Sequence, residues 1–193
     1  MPPRAGVTKE RVLDTATEIA NADGVESVTL ARLAKELGVK TPSLYAHVGG
    51  LEHVHQQLKL RGVEELTERM QRAAVGRAGS DALKAIADAQ REYARERPGL
   101  WGATVRLAPE DPEEIHRAAE ALLGVVLSVL RGYGLEGEDA LHATRCLRAA
   151  TRGFIDLELA GGFGMPLAVD ESWRRLIEMI DRGLSSAGPT AGR

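Results

Sequence analysis

Cysteine is almost missing from this chain: Cys146 is the single one in 193 residues. One thiol cannot build a disulfide framework within a chain, and such sparing use fits a reducing cytoplasm. A buried, inert thiol is the expectation for it, with a redox sensor as the alternative. Aromatic residues are scarce too, at 4%. No apolar run approaches the roughly 20 residues that a membrane-spanning helix needs, and Met1–Gly6 carries no apolar signal core. No membrane partner is therefore expected. Charge of one sign is also lacking, with 25 Lys and Arg against 28 Asp and Glu. The net −3 does not advertise a nucleic-acid surface. β-Branched runs are short, no hairpin turn separates alternating segments, and internal repeats are absent, so a sheet is not expected.

What remains is Leu- and Ala-rich, with 44% hydrophobic residues, enough for a core in an all-α chain. The most specific segment is 29–48, TLARLAKELGVKTPSLYAHV. Leu30, Leu33, Ala34 and Leu37 recur at helical spacing, and small Ala34 lets a second helix cross closely. Gly38 suits a left-handed helix end, and Val39 plugs the corner. Thr41 is expected as N-cap and Pro42 as the first residue of a second helix. Leu44 and Val48 hold that helix to the body, leaving Lys40, Thr41, Ser43, Tyr45 and His47 outward. Two helices on so tight a turn have the helix-turn-helix geometry that enters a DNA groove. The bland alternative is a helical hairpin with a polar second helix.

Residues 8–54 resemble the DNA-binding domain of the tetracycline-repressor (TetR) family. Three pieces carry the likeness: TKERVLDTATEIANADGVESVTL, ARLAKELGV and TPSLYAHVGGLEHV. The family pattern has a basic residue near position 51 and an aromatic at 48, where this chain has Leu51 and Val48. REYARERPGLWGA at 91–103 and RAATRGFIDLELAGGFGMPLAVDESWRRLIEMIDRGL at 148–184 resemble the regulatory domain of one branch. The resemblance implies an all-α fold: an N-terminal three-helix helix-turn-helix head on residues 1–50, then a helical ligand-binding and dimerisation domain on 51–187. Residues 188–193 are expected as a disordered tail. The implied function is a sequence-specific DNA-binding transcriptional regulator, a ligand-released homodimeric repressor on a palindromic operator of double-stranded DNA. No cofactor is implied beyond a small apolar or amphipathic effector of unknown identity.

Within the head, Lys40 suits phosphate or a guanine edge, and Thr41 a phosphate at the helix start. Ser43 reaches a base or phosphate, and Tyr45 offers a phenolic donor and a ring for a thymine methyl. His47 and Thr29 can each donate to phosphate, and Pro42 sets the helix entry. Arg4 is either a minor-groove arm or disordered. Basic residues here are matched by acids, so the local field decides, and a shallow salt dependence is expected.

Further along, Thr8 caps a first helix that Gly24 ends, and Gly49-Gly50 precedes a long helix from Leu51. Ser80 caps a helix stopping before Pro98, and a short helix covers about Leu100–Leu107. Asp111-Pro112 opens the next, Gly137 starts another that ends near Ala160, and Asp170 caps the last, ending near Leu184. Those last two carry stripes: Leu141, Thr144, Leu147, Thr151 and Ile155, then Leu176, Ile177, Ile180 and Leu184. They suit a dimer interface, an internal core, or both on opposite faces. One short recognition helix reads few base pairs, which favours two copies. Tyr93, Trp101, Phe154, Phe163 and Trp173 are candidate pocket walls, with Met165 as filler. His116, Arg148 and Glu158 are candidate polar contacts.

Two other classes compete: an all-α enzyme or metal protein, and a helical interaction protein that never touches DNA. Glu110, Asp111, Glu113, Glu114 and His116 form an acid/His cluster, but acids crowd helix starts for dipole reasons alone. His53 and His55 fall on different helix faces, and AGGFG lacks the Lys and Ser/Thr of a phosphate loop. Stoichiometric zinc or iron would mark the first competitor; operator binding indifferent to Tyr45 or Lys40 would mark the second.

Overall fold

The computed structural model describes residues 7–105 and 107–187. Arg4 and the 188–193 segment lie outside them. Among the described residues there are nine α-helices, one 3-10 turn (Val25–Ser27) and no strand. The helices are α1 (Lys9–Asp23), α2 (Leu30–Leu37), α3 (Thr41–Leu44), α4 (Leu51–Ala74), α5 (Gly79–Glu96), α6 (Pro98–Ala103), α7 (Glu113–Arg131), α8 (Gly137–Leu159) and α9 (Val169–Ala187). The all-α expectation holds, with the head first. No helix among the described residues is long and apolar enough to cross a membrane.

Several boundaries differ from the sequence expectation for local reasons. Thr41 is not the cap of α3: Lys40 takes that position with extended backbone, leaving Thr41 and Pro42 in the first turn. The short helix α6 starts at Pro98 rather than Leu100, since proline's fixed φ suits a first turn. It stops at Ala103 because the hydroxyl and N–H of Thr104 both turn back to the Trp101 carbonyl. The last helix runs past Leu184 to Ala187 and begins at Val169, so Asp170 lies in its first turn.

The chain divides into two compact units, Met1–Glu65 with Glu96–Ala119, and Leu66–Arg95 with Glu120–Arg193. In the first unit, Val12, Ala16, Leu33, Leu44, Leu58, Leu100 and Ile115 are fully buried. Helix α6 beds directly on α1. A Cβ on Gly99 would fall on the Ala20 backbone and 2.6 Å from the Asn21 nitrogen. Gly62 of α4 makes a similar allowance on another side, where a Cβ would lie 2.9 Å from the Leu100 carbonyl oxygen. Lys59 of α4 reaches both carboxylate oxygens of Asp111 at 2.8 Å, and Asp111 also accepts from the Ala108 N–H. Burial opposes ionisation of Asp111, but these donors prevail and hold its carboxyl below the usual aspartate range.

In the second unit, Met70, Leu83, Ile86, Tyr93, Leu130 and Ile155 form the buried centre. A charged network lies within it. Arg91 is 6% exposed and grips Glu158 with two nitrogens, at 2.8 and 2.6 Å, and Asp170 at 2.7 Å. Its guanidinium sits 5.2 Å from the Trp173 ring centroid and 5.7 Å from that of Phe154. Two aromatic faces and two carboxylates thus share one cation. Cys146 is exposed on α8, contrary to the buried thiol expected. The inward turn of the helix is taken by its neighbour Leu147.

Candidate nucleic-acid interface

The reading surface is built by α2 and α3. The Thr29 hydroxyl accepts from the Arg32 N–H at 3.2 Å and starts α2. Leu33, Ala34 and Leu37 are buried, so one face of α2 is committed to the core. At its end Gly38 takes φ 68°, ψ 32°. The Gly38 N–H then bonds Lys35 and the Val39 N–H bonds Ala34, at 3.1 and 2.9 Å. This paired bonding closes the helix and aims the chain into the turn at once. Only a residue without Cβ enters that conformation at no cost.

Helix α3 is four residues long and continues as turns to His47. Leu44 is fully buried and Val48 nearly so, the two anchors expected from sequence. The Val48 and His47 N–H groups both return to the Leu44 carbonyl. Around these anchors no other residue of the segment is buried. Lys40, Pro42, Ser43 and Tyr45 are exposed, Tyr45 at 62%, while Thr41 and His47 are half-buried. Among the described residues no side chain bonds to Lys40, Thr41, Ser43, Tyr45 or His47. An exposed phenol, ammonium, two hydroxyls and an imidazole on one short segment present donors with nothing internal to satisfy.

The charges of the head are only partly paired, and exposed Glu36, beside Lys35, makes no ion pair among the described residues. Arg32 is drawn to Asp23, and Asp14 is taken up by Arg61 at 2.8 Å. Lys35 and Lys40 are exposed and make no ion pair among the described residues. Two matched pairs are therefore removed from the head's charge, leaving cations near the turn uncancelled by contact. His55 lies 3.4 Å from the Val28 carbonyl and braces α4 against the α1–α2 connection.

The candidate effector residues do not fall into one group. Trp101 and His116 belong to the first unit, where Trp101 is buried and His116 Nδ1 lies 3.3 Å from the Pro112 carbonyl. The others belong to the second. Tyr93 is fully buried under the Arg69 guanidinium, and Phe154 meets Phe163 and Trp173 at centroid distances of 4.7 and 5.2 Å. Arg148 is exposed on α8, and Met165 is 77% exposed after α8. Glu158, a candidate polar contact, accepts from Arg91 at 2.8 and 2.6 Å. Sequence reading missed Arg91 itself, because nothing in a lone arginine among polar neighbours announces burial. Two members of the acid/His cluster have structural partners: Asp111 holds Lys59, and Glu114 accepts from Gln57 at 3.1 Å. No group of three metal-ligating side chains occurs among the described residues.

Comparison with known proteins agrees with this geometry. Residues 12–50 match the family model "Bacterial regulatory proteins, tetR family". Residues 83–180 match "Tetracyclin repressor-like, C-terminal domain". The chain is 36% identical over 154 residues to the uncharacterized HTH-type transcriptional regulator YobS of Bacillus subtilis, covering 80% of each chain. A Rhodococcus sp. RHA1 protein of unknown function superposes with TM-score 0.80 at 22% identity, over 96% of this chain and 99% of that one. A TetR variant from Acinetobacter baumannii AYE in complex with minocycline gives TM-score 0.71 at 21% identity, over 96% and 100%.

Proposed function

The chain belongs to the tetR family of bacterial regulatory proteins, and from that premise we propose that it is a ligand-released homodimeric repressor. The family consists of DNA-binding transcriptional regulators, not enzymes. The observation that carries the reading is the α2–α3 corner. Its buried anchors Leu44 and Val48 alternate with exposed donors that the fold leaves unused. Thr29, Lys40, Thr41, Pro42, Ser43, Tyr45 and His47 are the proposed contacts with the operator. Thr29 still has its hydroxyl proton to donate, because the cap uses only its oxygen. Residues 1–50 are the proposed DNA-binding segment and 51–187 the regulatory and dimerisation segment. A protein that must reach chromosomal DNA is placed in the cytoplasm.

Dimerisation is supported by apolar side chains that α8 and α9 leave exposed: Leu141, Leu157 and Met179. Leu147, Thr151 and Ile155 on α8, with Ile177 and Leu184 on α9, are spent inside the protomer. The two helices thus bury one face and keep another for a second copy. The effector is proposed to be small and apolar or amphipathic, engaging the second unit near Tyr93, Phe154 and Phe163. The minocycline complex of a protein of the same fold supports a ligand of that scale. Release then follows from linkage: a ligand that favours the dimer state with poorer operator affinity weakens DNA binding by the same factor.

Selection of bound sequences from a random duplex pool tests the function whatever the operator sequence is. A palindrome with half-sites about one helical turn apart is expected. Recovery of no enriched sequence would overturn the reading.

A further inference from the structure

Helices α5 and α9 flank a groove that, of the aromatic residues read from sequence as candidate pocket walls, only Trp173 lines. Asp88 of α5 accepts from the Trp173 indole N–H of α9 at 2.7 Å, and Arg91 of α5 meets Asp170 of α9. Three steps forward on α5 match three steps back on α9, so the helices run antiparallel. Ser80, Lys84, Asp88 and Arg91 line one wall, and Asp170, Trp173, Arg174, Ile177, Glu178 and Asp181 the other. The enclosed volume is about 370 Å³, within the range of small-molecule sites. Trp173 and Ile177 give the groove an apolar floor.

The charges of this groove are unequal in how they are satisfied. Arg91 is already held by Glu158 and Asp170, and Arg174 by Glu171 and Glu178. Asp88 and Asp181, in contrast, receive only neutral donors: the Trp173 indole, and the Tyr133 hydroxyl at 2.5 Å. Neither carboxylate has a side-chain cation within ion-pair distance among the described residues, although Lys84 lies in the same wall. Eight residues separate Trp173 from Asp181, about 12 Å along a helix. A carboxyl group with no cation partner among the described residues thus stands near each end of a floor that is apolar between them.

We propose that the α5–α9 groove is a binding site for an organic cation with a flat apolar body, seated on Trp173 and Ile177 with its charge toward Asp88 or Asp181. An anion would meet four carboxylates and find, of the three lining cations, only Lys84 unoccupied among the described residues. The inference deepens the effector reading and rests on it only for the consequence, release from the operator. Binding itself is a property of the groove.

Ethidium, a flat monocation, is the probe, with anilinonaphthalene sulfonate as an anion of similar size. Both are titrated by calorimetry against the full chain without DNA. Asp88→Asn and Asp181→Asn each keep an oxygen for the indole or phenol while removing the charge. Each is expected to weaken ethidium about tenfold, equivalent to about 1.4 kcal/mol, without strengthening the anion. Lys84→Glu, on an exposed position, is expected to tighten ethidium several-fold and covers the case of Asn variants that do not fold. Absence of ethidium binding, equal affinity in all variants, or preference for the anion would overturn the proposal. Operator binding by the unaltered chain, measured in the same preparation, reports on the regulator reading separately.

Discussion

Asn21, near the end of α1, caps the start of α6: its amide oxygen accepts from the Gly99 and Leu100 N–H groups at 3.1 and 3.3 Å. The residue that precedes α6, Arg97, supplies no side-chain cap of its own. The first turn of α6 is therefore satisfied from a helix some 80 residues away in sequence, and the absent side chain of Gly99 makes that approach possible. Gly99→Ala forces a methyl into the Ala20 backbone. The expected cost is about 3 kcal/mol, at the upper end for overpacking because backbone rather than a side chain must move. Asn21→Ala strands two N–H groups and should cost about 1–2 kcal/mol. Chemical denaturation of both variants checks the order, Gly99→Ala the worse.

Arg91 offers a second test. Removing it leaves Glu158 part-buried beside Arg95 alone, while Asp170 is exposed and tolerates the loss. Arg91→Ala is expected to destabilise by about 3 kcal/mol, the range for breaking a buried pair. Arg91→Ala with Glu158→Ala together should cost less than the sum of the single changes, by at least about 1 kcal/mol. A thermodynamic cycle on these variants measures it.

The same network fixes a pH dependence. Hydrogen bonds from Arg91 and Arg95 hold the Glu158 carboxyl below its ordinary value, and Arg91 does the same for exposed Asp170. A depressed value means the unfolded chain binds the proton first. The stabilisation is complete above the ordinary glutamate value of about 4.3 and is lost as pH falls through the lower folded value. Melting temperature should drop across this acid window. In Glu158→Gln that drop should be shallower.

Much of the head was legible because its constraints are local. Leu33, Ala34 and Leu37 follow the 3.6-residue period, and Gly38 marks a left-handed turn by its type alone. Thr8 caps as expected, and Thr29 caps α2 in the same way, for a hydroxyl three residues before an N–H needs no tertiary context. The cap of α3 shifted by one because Pro42 tolerates the second helical position as well as the first. Long-range pairings left no local trace. Asn21 with Gly99, Lys59 with Asp111 and Arg91 with Glu158 join residues 52 or more positions apart, and periodicity is blind to such distances. The effector candidates divided between two units for the same reason: scarcity of aromatics says that each matters, not where each packs.

Leu44 and Tyr45 separate folding from reading. Leu44→Ala empties a fully buried site and should cost about 2–5 kcal/mol. Tyr45→Ala changes a side chain that touches little of the protein and should leave stability within about 0.5 kcal/mol.

The most direct measurement is therefore the affinity of the unaltered chain and of Tyr45→Ala for one operator duplex, titrated with salt. The account predicts tight, salt-sensitive binding by the parent and at least about a tenfold loss in the variant, equivalent to about 1.4 kcal/mol, with melting unchanged. Equal binding by the two proteins would contradict it and remove α3 as the reading surface.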